Sequence, residues 1–165
     1  VTDELSPTSI PITHITPEKA STIPRTPGTY LLLFRVTTAT HINIGRLGHL
    51  RLTPGVYVYV GSARGPGGLS ARIRRHLRRE KRLHWHIDYI TQQLSPTAIL
   101  FTTHPHVTEC GWVHTLLPLP GTETPLPGLG NSDCRAGCPA HFLRISEHVA
   151  QNLLNLLATA PNERA

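Results

Sequence analysis

The sequence predicts an α/β domain built on a small, mainly antiparallel sheet flanked by helices. Residues 29–37 (TYLLLFRVT) and 56–61 (VYVYVG) are short β-branched, aromatic and aliphatic runs, each preceded by Pro-Gly, and read as buried strands. Residues 69–82 read instead as a helix, because Leu69, Ile73 and Leu77 recur at the four-residue spacing of a helical core stripe. Fifteen prolines and thirteen glycines in 165 residues keep the elements short and the loops many. A chain of this length forms one domain with a real hydrophobic core.

The remaining elements follow in chain order. Residues 1–27 contain five prolines (Pro7, Pro11, Pro17, Pro24, Pro27) and few charges, which predicts an extended N-terminal arm. The domain proper is expected at 28–146, and a C-terminal helix and tail at 147–165. In HINIG and RLGHLRL (41–52), Ile42, Ile44, Leu50 and Leu52 alternate with polar neighbours, as in strand fragments joined at glycines. Gly65-Pro66-Gly67-Gly68 is a loop. HWHIDYITQQL (84–94) reads as a short helix, 98–103 as a strand, and 109–117 as a helix stopped by Pro118 and Pro120. A Pro/Gly loop (118–130) leads to a last strand at 141–145, after which Ser146 caps a final amphipathic helix.

Charge narrows the class of partner. The formal net charge is +6, and eight of the sixteen basic residues fall between Arg64 and Arg82, interrupted by one acid, Glu80. So few acids rule out salt bridging within the helix as the main purpose of the cluster; phosphate is the better partner. No apolar run approaches the roughly 20 residues of a membrane helix. The N-terminal stretch lacks a basic region followed by an apolar core, so a cytoplasmic location is expected. Three cysteines leave one unpaired in any intrachain scheme, which argues against a secreted disulfide scaffold.

The stretch YVYVGSARGPGGLSARIRRH (57–76) runs from strand through glycine loop to arginine-rich helix. Such a loop and helix N-terminus can cradle an anion with backbone N–H groups. The spacing matches neither the dinucleotide fingerprint nor the P-loop. On the helix, Arg72, His76 and Arg79 are spaced to share one face beside the core stripe.

A second feature changes the weighing. GTY (28–30) opens the first strand, YVG (59–61) closes a neighbouring one, and Arg72-x-x-Arg75-His76 follows on the helix. This resembles the GIY-YIG nuclease superfamily. The closer resemblance is to a small stand-alone, uncharacterised branch, domain of unknown function 123. Its hallmarks look like GTY, PG-x-YVYVGSA-x-G, R-x-x-RH, HWHIDY, an EC pair at Glu109-Cys110, and a C-terminal SDC-plus-His segment, all present in order over residues 28–142. The resemblance implies a metal-dependent endonuclease hydrolysing DNA phosphodiester bonds, in repair or recombination. It implies that Glu109 holds Mg²⁺ or Mn²⁺ and that Arg72 faces a non-bridging phosphate oxygen. Tyr30 and Tyr59 would orient or deprotonate the attacking water, and His76 would shuttle a proton or hold phosphate. Arg64, Arg74, Arg75, Arg78, Arg79, Lys81, Arg82, His84 and His86 would track the nucleic-acid backbone.

Three departures stand out. The first motif is GTY, not GIY. Twenty-six residues separate Tyr30 from Tyr57, which predicts an added hairpin between the motifs. The family's late asparagine has no match beyond Asn131, whose surroundings differ.

Two clusters stay open at this level. His84, His86 and Asp88 offer three ligands if the segment is extended, although on a helix only His84 and Asp88 share a face; the plainer alternative is that Trp85 and Ile87 anchor the segment while the histidines line a rim. Cys110, Cys134, Cys138 and His141 offer four soft donors for Zn²⁺, against buried thiols around a turn in which Ser132 and Asp133 serve as caps or Asp133 instead approaches the metal site. Beside the endonuclease stand a nucleic-acid-binding module that keeps the fold without cleaving, and a zinc-stabilised interaction domain.

Overall fold

The computed structural model describes residues 10–131 and 134–155, and within them the chain forms seven strands and four α-helices. In order these are β1 (Thr13–Ile15), β2 (Gly28–Val36), β3 (Thr40–Ile44), β4 (Gly48–Leu52), β5 (Gly55–Ala63), α1 (Gly68–Leu77), α2 (His86–Thr91), β6 (Ala98–Thr102), α3 (Glu109–Leu116), β7 (Phe142–Ile145) and α4 (Glu147–Asn155). Five strands make one sheet in the order β1-β6-β2-β5-β7, antiparallel throughout, and β3 with β4 forms the separate hairpin expected between the two motifs. No helix among the described residues is long and apolar enough to cross a membrane.

Both faces of the large sheet are covered, which explains why β2 and β5 read as continuous apolar runs although their partners are antiparallel. Tyr30, Leu32, Phe34, Tyr57 and Tyr59 point into one core with Leu69 and Ile73 of α1, Ile87 and Ile90 of α2, and the hairpin residues Ile42, Ile44, Leu50 and Leu52. Leu31, Leu33, Val56, Val58 and Val60 point the opposite way, against Val113 and Leu116 of α3 and Val149 and Ala150 of α4. Ser146 caps α4 as expected, accepting a hydrogen bond from Val149 N at 3.1 Å.

The structure departs from the sequence-based expectation in two places. Part of the expected arm belongs to the sheet: β1 pairs with β6, and a 3-10 turn follows at Pro17–Thr22. Residues 1–9 and the tail beyond 155 lie outside the described residues, as do Ser132 and Asp133. The second departure is the length of α1, which ends at Leu77, five residues before the expected Arg82. Arg78 turns extended, and Lys81 Nζ folds back to donate to the carbonyls of Arg75 and His76, both at 3.1 Å, and to Thr91 Oγ1 at 2.6 Å. A lysine placed on the last carbonyls closes the helix end and favours its dipole.

Candidate active site

The two tyrosine motifs meet through strand register. Tyr30 on β2 lies directly opposite Gly61 on β5, and Leu32 opposite Tyr59. A side chain at position 61 would bring its Cβ within 2.4 Å of the Tyr30 ring, so the glycine exists to let that ring lie across the strand. Tyr30 and Tyr59 then sit 6.3 Å apart between centroids, with the His76 ring 5.5 Å from the first and 5.9 Å from the second. Tyr30 Oη and His76 Nε2 are hydrogen-bonded at 2.6 Å.

Above this buried layer opens a cavity of about 510 Å³. Tyr59, Arg64, Arg72, His84, His86 and Glu109 are among the residues that line it. Strand β5, helix α1, the turn into α2 and the first turn of α3 therefore each contribute a side chain to one wall or another. Thr108 Oγ1 caps α3 by accepting from Gly111 N at 3.0 Å, which fixes Glu109 in the first turn. The Arg72 guanidinium carbon lies 4.2 Å from the centroid of the Trp85 ring, and that of Arg75 lies 4.7 Å from it. Trp85 is thus a shared platform for both arginines, a role beyond the anchoring its sequence suggests. An aromatic one residue before α2, near an R-x-x-R pair, is the only sequence signal for it.

Not every expected site residue reaches the cavity. Tyr30 is completely buried and His76 is 1 % exposed, and neither is among the residues that line the cavity; both pack beneath Tyr59. Arg79 lies past the end of α1 and hydrogen-bonds Ser95 Oγ at 3.1 Å, away from the face it was expected to share with Arg72 and His76. Lys81 is committed to the helix end. Asp88 is no metal ligand either: wholly buried, its Oδ2 accepts from Arg75 Nη2 at 2.8 Å, His84 N at 2.8 Å and Trp85 N at 2.9 Å. Arg75 Nη2 also reaches the Arg82 carbonyl, so Arg75 is a structural residue first. Arg74, Arg75 and Arg78 line a separate cavity of about 420 Å³ with Arg25, a residue of the arm. Nor is the glycine loop an open anion cradle: Leu69 N and Ser70 N of α1 donate to the carbonyls of Thr26 and Pro24, both at 2.9 Å. His84 and His86 do line the rim, the latter accepting from Gly130 N at 3.1 Å. Arg64 also lines the cavity, braced on Ser62 Oγ.

Burial dominates the electrostatics of the tyrosine layer. It holds the Tyr30 phenol well above its ordinary range, and raises Tyr59 likewise with help from the Glu109 carboxylate. Arg72 pulls both down, but by less than burial pushes them up. Both phenols are therefore neutral hydrogen-bonding groups, and a tyrosinate base is disfavoured. Burial, with Lys81, Arg72 and Arg75 nearby, lowers His76 from 6.5 to about 3. An unfolded chain takes up a proton at this histidine below pH 6.5 and the folded one does not until about pH 3. Stability should thus fall on account of this group as pH drops through that window. Urea melts between pH 4 and 8 check this: the slope should shrink in His76→Gln, and an unchanged slope would assign it to other groups.

Beside Glu109 lies a cluster that can hold a metal ion. The ligand atoms of Cys110, Cys134, Cys138 and His141 all fall within 4.8 Å of one another. Cys110 Sγ is 3.3 Å from Cys134 Sγ and 3.8 Å from His141 Nε2. Burial pushes the Cys110 thiol up to about 12. It works to raise Cys134 as well, but N–H groups of Cys138 and Ala136, with the Cys110 and His141 side chains, hold that thiol down at about 6. His141 Nδ1 stands 3.3 Å from Glu109 Oε2, an ion-pair contact not aligned as a hydrogen bond. Asn131, which has no counterpart role at the cavity, donates from Nδ2 to the Cys138 carbonyl at 2.8 Å and braces this loop.

Comparison with curated proteins and with solved structures gave no match. Residues 29–161, and so both tyrosine motifs, α1, the EC pair and the cysteine loop, match the family described as Domain of unknown function DUF123, and the chain belongs to that family.

Proposed function

We propose that the protein is a metal-dependent endonuclease of GIY-YIG type that hydrolyses DNA phosphodiester bonds, in repair or recombination in the cytoplasm. The observation that carries this reading is convergence: Tyr59, Arg72 and Glu109, from three separate elements, line one cavity of about 510 Å³. Arg72 offers a planar, permanently charged fork to the non-bridging phosphate oxygens, where negative charge grows in the transition state. Tyr59, 8 % exposed at the cavity floor, orients the attacking water through its neutral hydroxyl, and Tyr30 with His76 holds its ring in place. His84, His86 and Arg64 contact the flanking backbone.

Glu109 suits Mg²⁺ or Mn²⁺ as a single hard oxygen donor in an open cavity, since such ions take one or two carboxylates and fill the remaining positions with water and substrate phosphate. The chemistry a bound ion supplies there is Lewis-acid polarisation of the phosphate. The soft donors of the neighbouring cluster suit Zn²⁺ instead.

Cleavage of labelled linear, flapped and branched DNAs with Mg²⁺, Mn²⁺ or EDTA tests the reading. Metal-dependent cutting that disappears in Glu109→Ala, with DNA binding retained, is the expected result. Tight, salt-sensitive binding with no cutting of any substrate would make the protein a non-cleaving nucleic-acid-binding module.

A further inference from the structure

The cysteine–histidine cluster has the geometry to hold a metal ion, and two of its members, Cys134 and His141, also line the cavity beside it. Cys110 comes from the first turn of α3, Cys134 and Cys138 from the loop before β7, and His141 from the residue preceding that strand. Zn–S bonds of about 2.3 Å in a tetrahedron imply ligand–ligand edges of about 3.8 Å. The Cys110–Cys134 and Cys110–His141 separations of 3.3 and 3.8 Å lie near that value, and all three cysteines are free thiols.

The supporting contacts are those of a prepared site. Asn131 receives Cys134 N on its carbonyl at 2.8 Å while its side chain holds the Cys138 carbonyl at 2.8 Å. Gly137, at φ 75°, makes the turn that returns the chain toward the first cysteine. His114 Nε2 lies 3.7 Å from Cys138 Sγ, an outer polar contact on a sulfur ligand. Most telling is His141: Nε2 faces the thiols while Nδ1, buried and without a hydrogen-bond partner, stands 3.3 Å from the Glu109 carboxylate. Metal-bound histidines characteristically direct their second nitrogen at a carboxylate, which fixes tautomer and ring orientation.

We propose that Cys110, Cys134, Cys138 and His141 hold one structural Zn²⁺ in a closed tetrahedral site, with Glu109 as the outer carboxylate on His141, so that metal loading fixes Glu109 at the cavity wall. On binding, the three sulfurs coordinate as thiolates, releasing whatever protons they carry, and Nε2 donates its lone pair. Nδ1 keeps its proton and turns the N–H toward Glu109 Oε2, so that the 3.3 Å contact becomes a hydrogen bond. The other carboxylate oxygen has no hydrogen-bond partner among the described residues, so one side chain can serve both sites. The zinc centre stands whether or not the cavity cleaves DNA.

Elemental analysis of the full chain, purified under reducing conditions and desalted, should give one zinc per chain, in wild type and in Arg72→Ala alike. Replacement by Co²⁺ should give thiolate charge-transfer bands and the intense d–d bands of a tetrahedral ion. Cys134→Ser and Cys138→Ser should lose the metal. Because those variants can fail to fold, Glu109→Gln supplies the second arm: it should keep zinc but release it to a competing chelator with affinity lowered about 10- to 100-fold. A folded wild-type chain with no zinc and three titratable thiols, or with a Cys110–Cys134 disulfide, overturns the site. Unchanged zinc affinity in Glu109→Gln overturns the link to the cavity.

Discussion

Arg72→Ala should lower the rate of DNA cleavage about 100- to 1,000-fold, the loss seen when a preorganised donor to a developing anionic charge is removed, while the chain stays folded. Arg72 is half-buried at the cavity wall and stacks on Trp85. Among the described residues its guanidinium makes no well-aligned hydrogen bond, although it stands close enough to pull the Tyr30 and Tyr59 phenols down. Beyond its contact with the Tyr30 phenol its donors remain for a ligand, whereas Arg75 Nη2 is spent on Asp88 and the Arg82 carbonyl. Lysine at position 72 keeps the charge but loses the planar fork and much of the stacking, so it should recover little. Trp85→Leu tests the platform itself: losing a cation–π contact of about 1 kcal/mol should lower kcat several-fold with KM less affected. Single-turnover rates with binding measured separately decide the matter. A rate for Arg72→Ala within about threefold of wild type would reduce Arg72 to one phosphate anchor among several.

Strands β2, β5, β6 and β7, the hairpin and the motif order were legible in the sequence because each is a local pattern, whereas β1 was not, because its pairing with β6 leaves no mark in the proline-rich arm. Leu69, Ile73 and Leu77 mark α1 without reference to any other segment, and Ile42, Ile44, Leu50 and Leu52 mark the hairpin. What sequence could not supply was the use made of the basic residues. Arg72 and Arg75 look alike along the helix, yet one faces a cavity and the other a buried aspartate, a distinction set by where α2 packs. Lys81 likewise reads as one more cation until the chain turns at Arg78 and aims it at the helix end. The cysteine cluster was half legible. The spacing of Cys134, Cys138 and His141 is local, but the fourth donor, Cys110, arrives only because α3 and the loop before β7 meet against the same face of the sheet. That same meeting gives Glu109 a neighbour, His141, that no spacing announced. The tyrosine motifs show the converse: recognisable as a pattern, their physical content, one ring over one glycine, lies in the β2–β5 register.

Asp88→Ala should destabilise the fold by about 3–5 kcal/mol, the cost of breaking one partner out of a buried ion pair. Its carboxylate is fully buried, and one oxygen gathers the Arg75 guanidinium and the backbone N–H groups of His84 and Trp85. Alanine would leave two backbone donors and a largely buried cation without their acceptor, inside a domain whose whole stability is of order 5–15 kcal/mol. Asp88→Asn keeps an acceptor oxygen and drops the charge, so a smaller loss of about 1–3 kcal/mol is expected. Urea denaturation at pH 7 reads both. The pair also ties stability to the cavity: Asp88 holds Arg75 and the entry to α2, and that entry carries Trp85, on which Arg72 rests. Asp88→Asn should therefore lower the cleavage rate at concentrations and temperatures where the protein remains folded, by loosening the platform under Arg72. A variant as stable as wild type within about 0.5 kcal/mol, the range of an ordinary surface change, would mean that water replaces the carboxylate and that the α1–α2 corner is held by its apolar contacts alone.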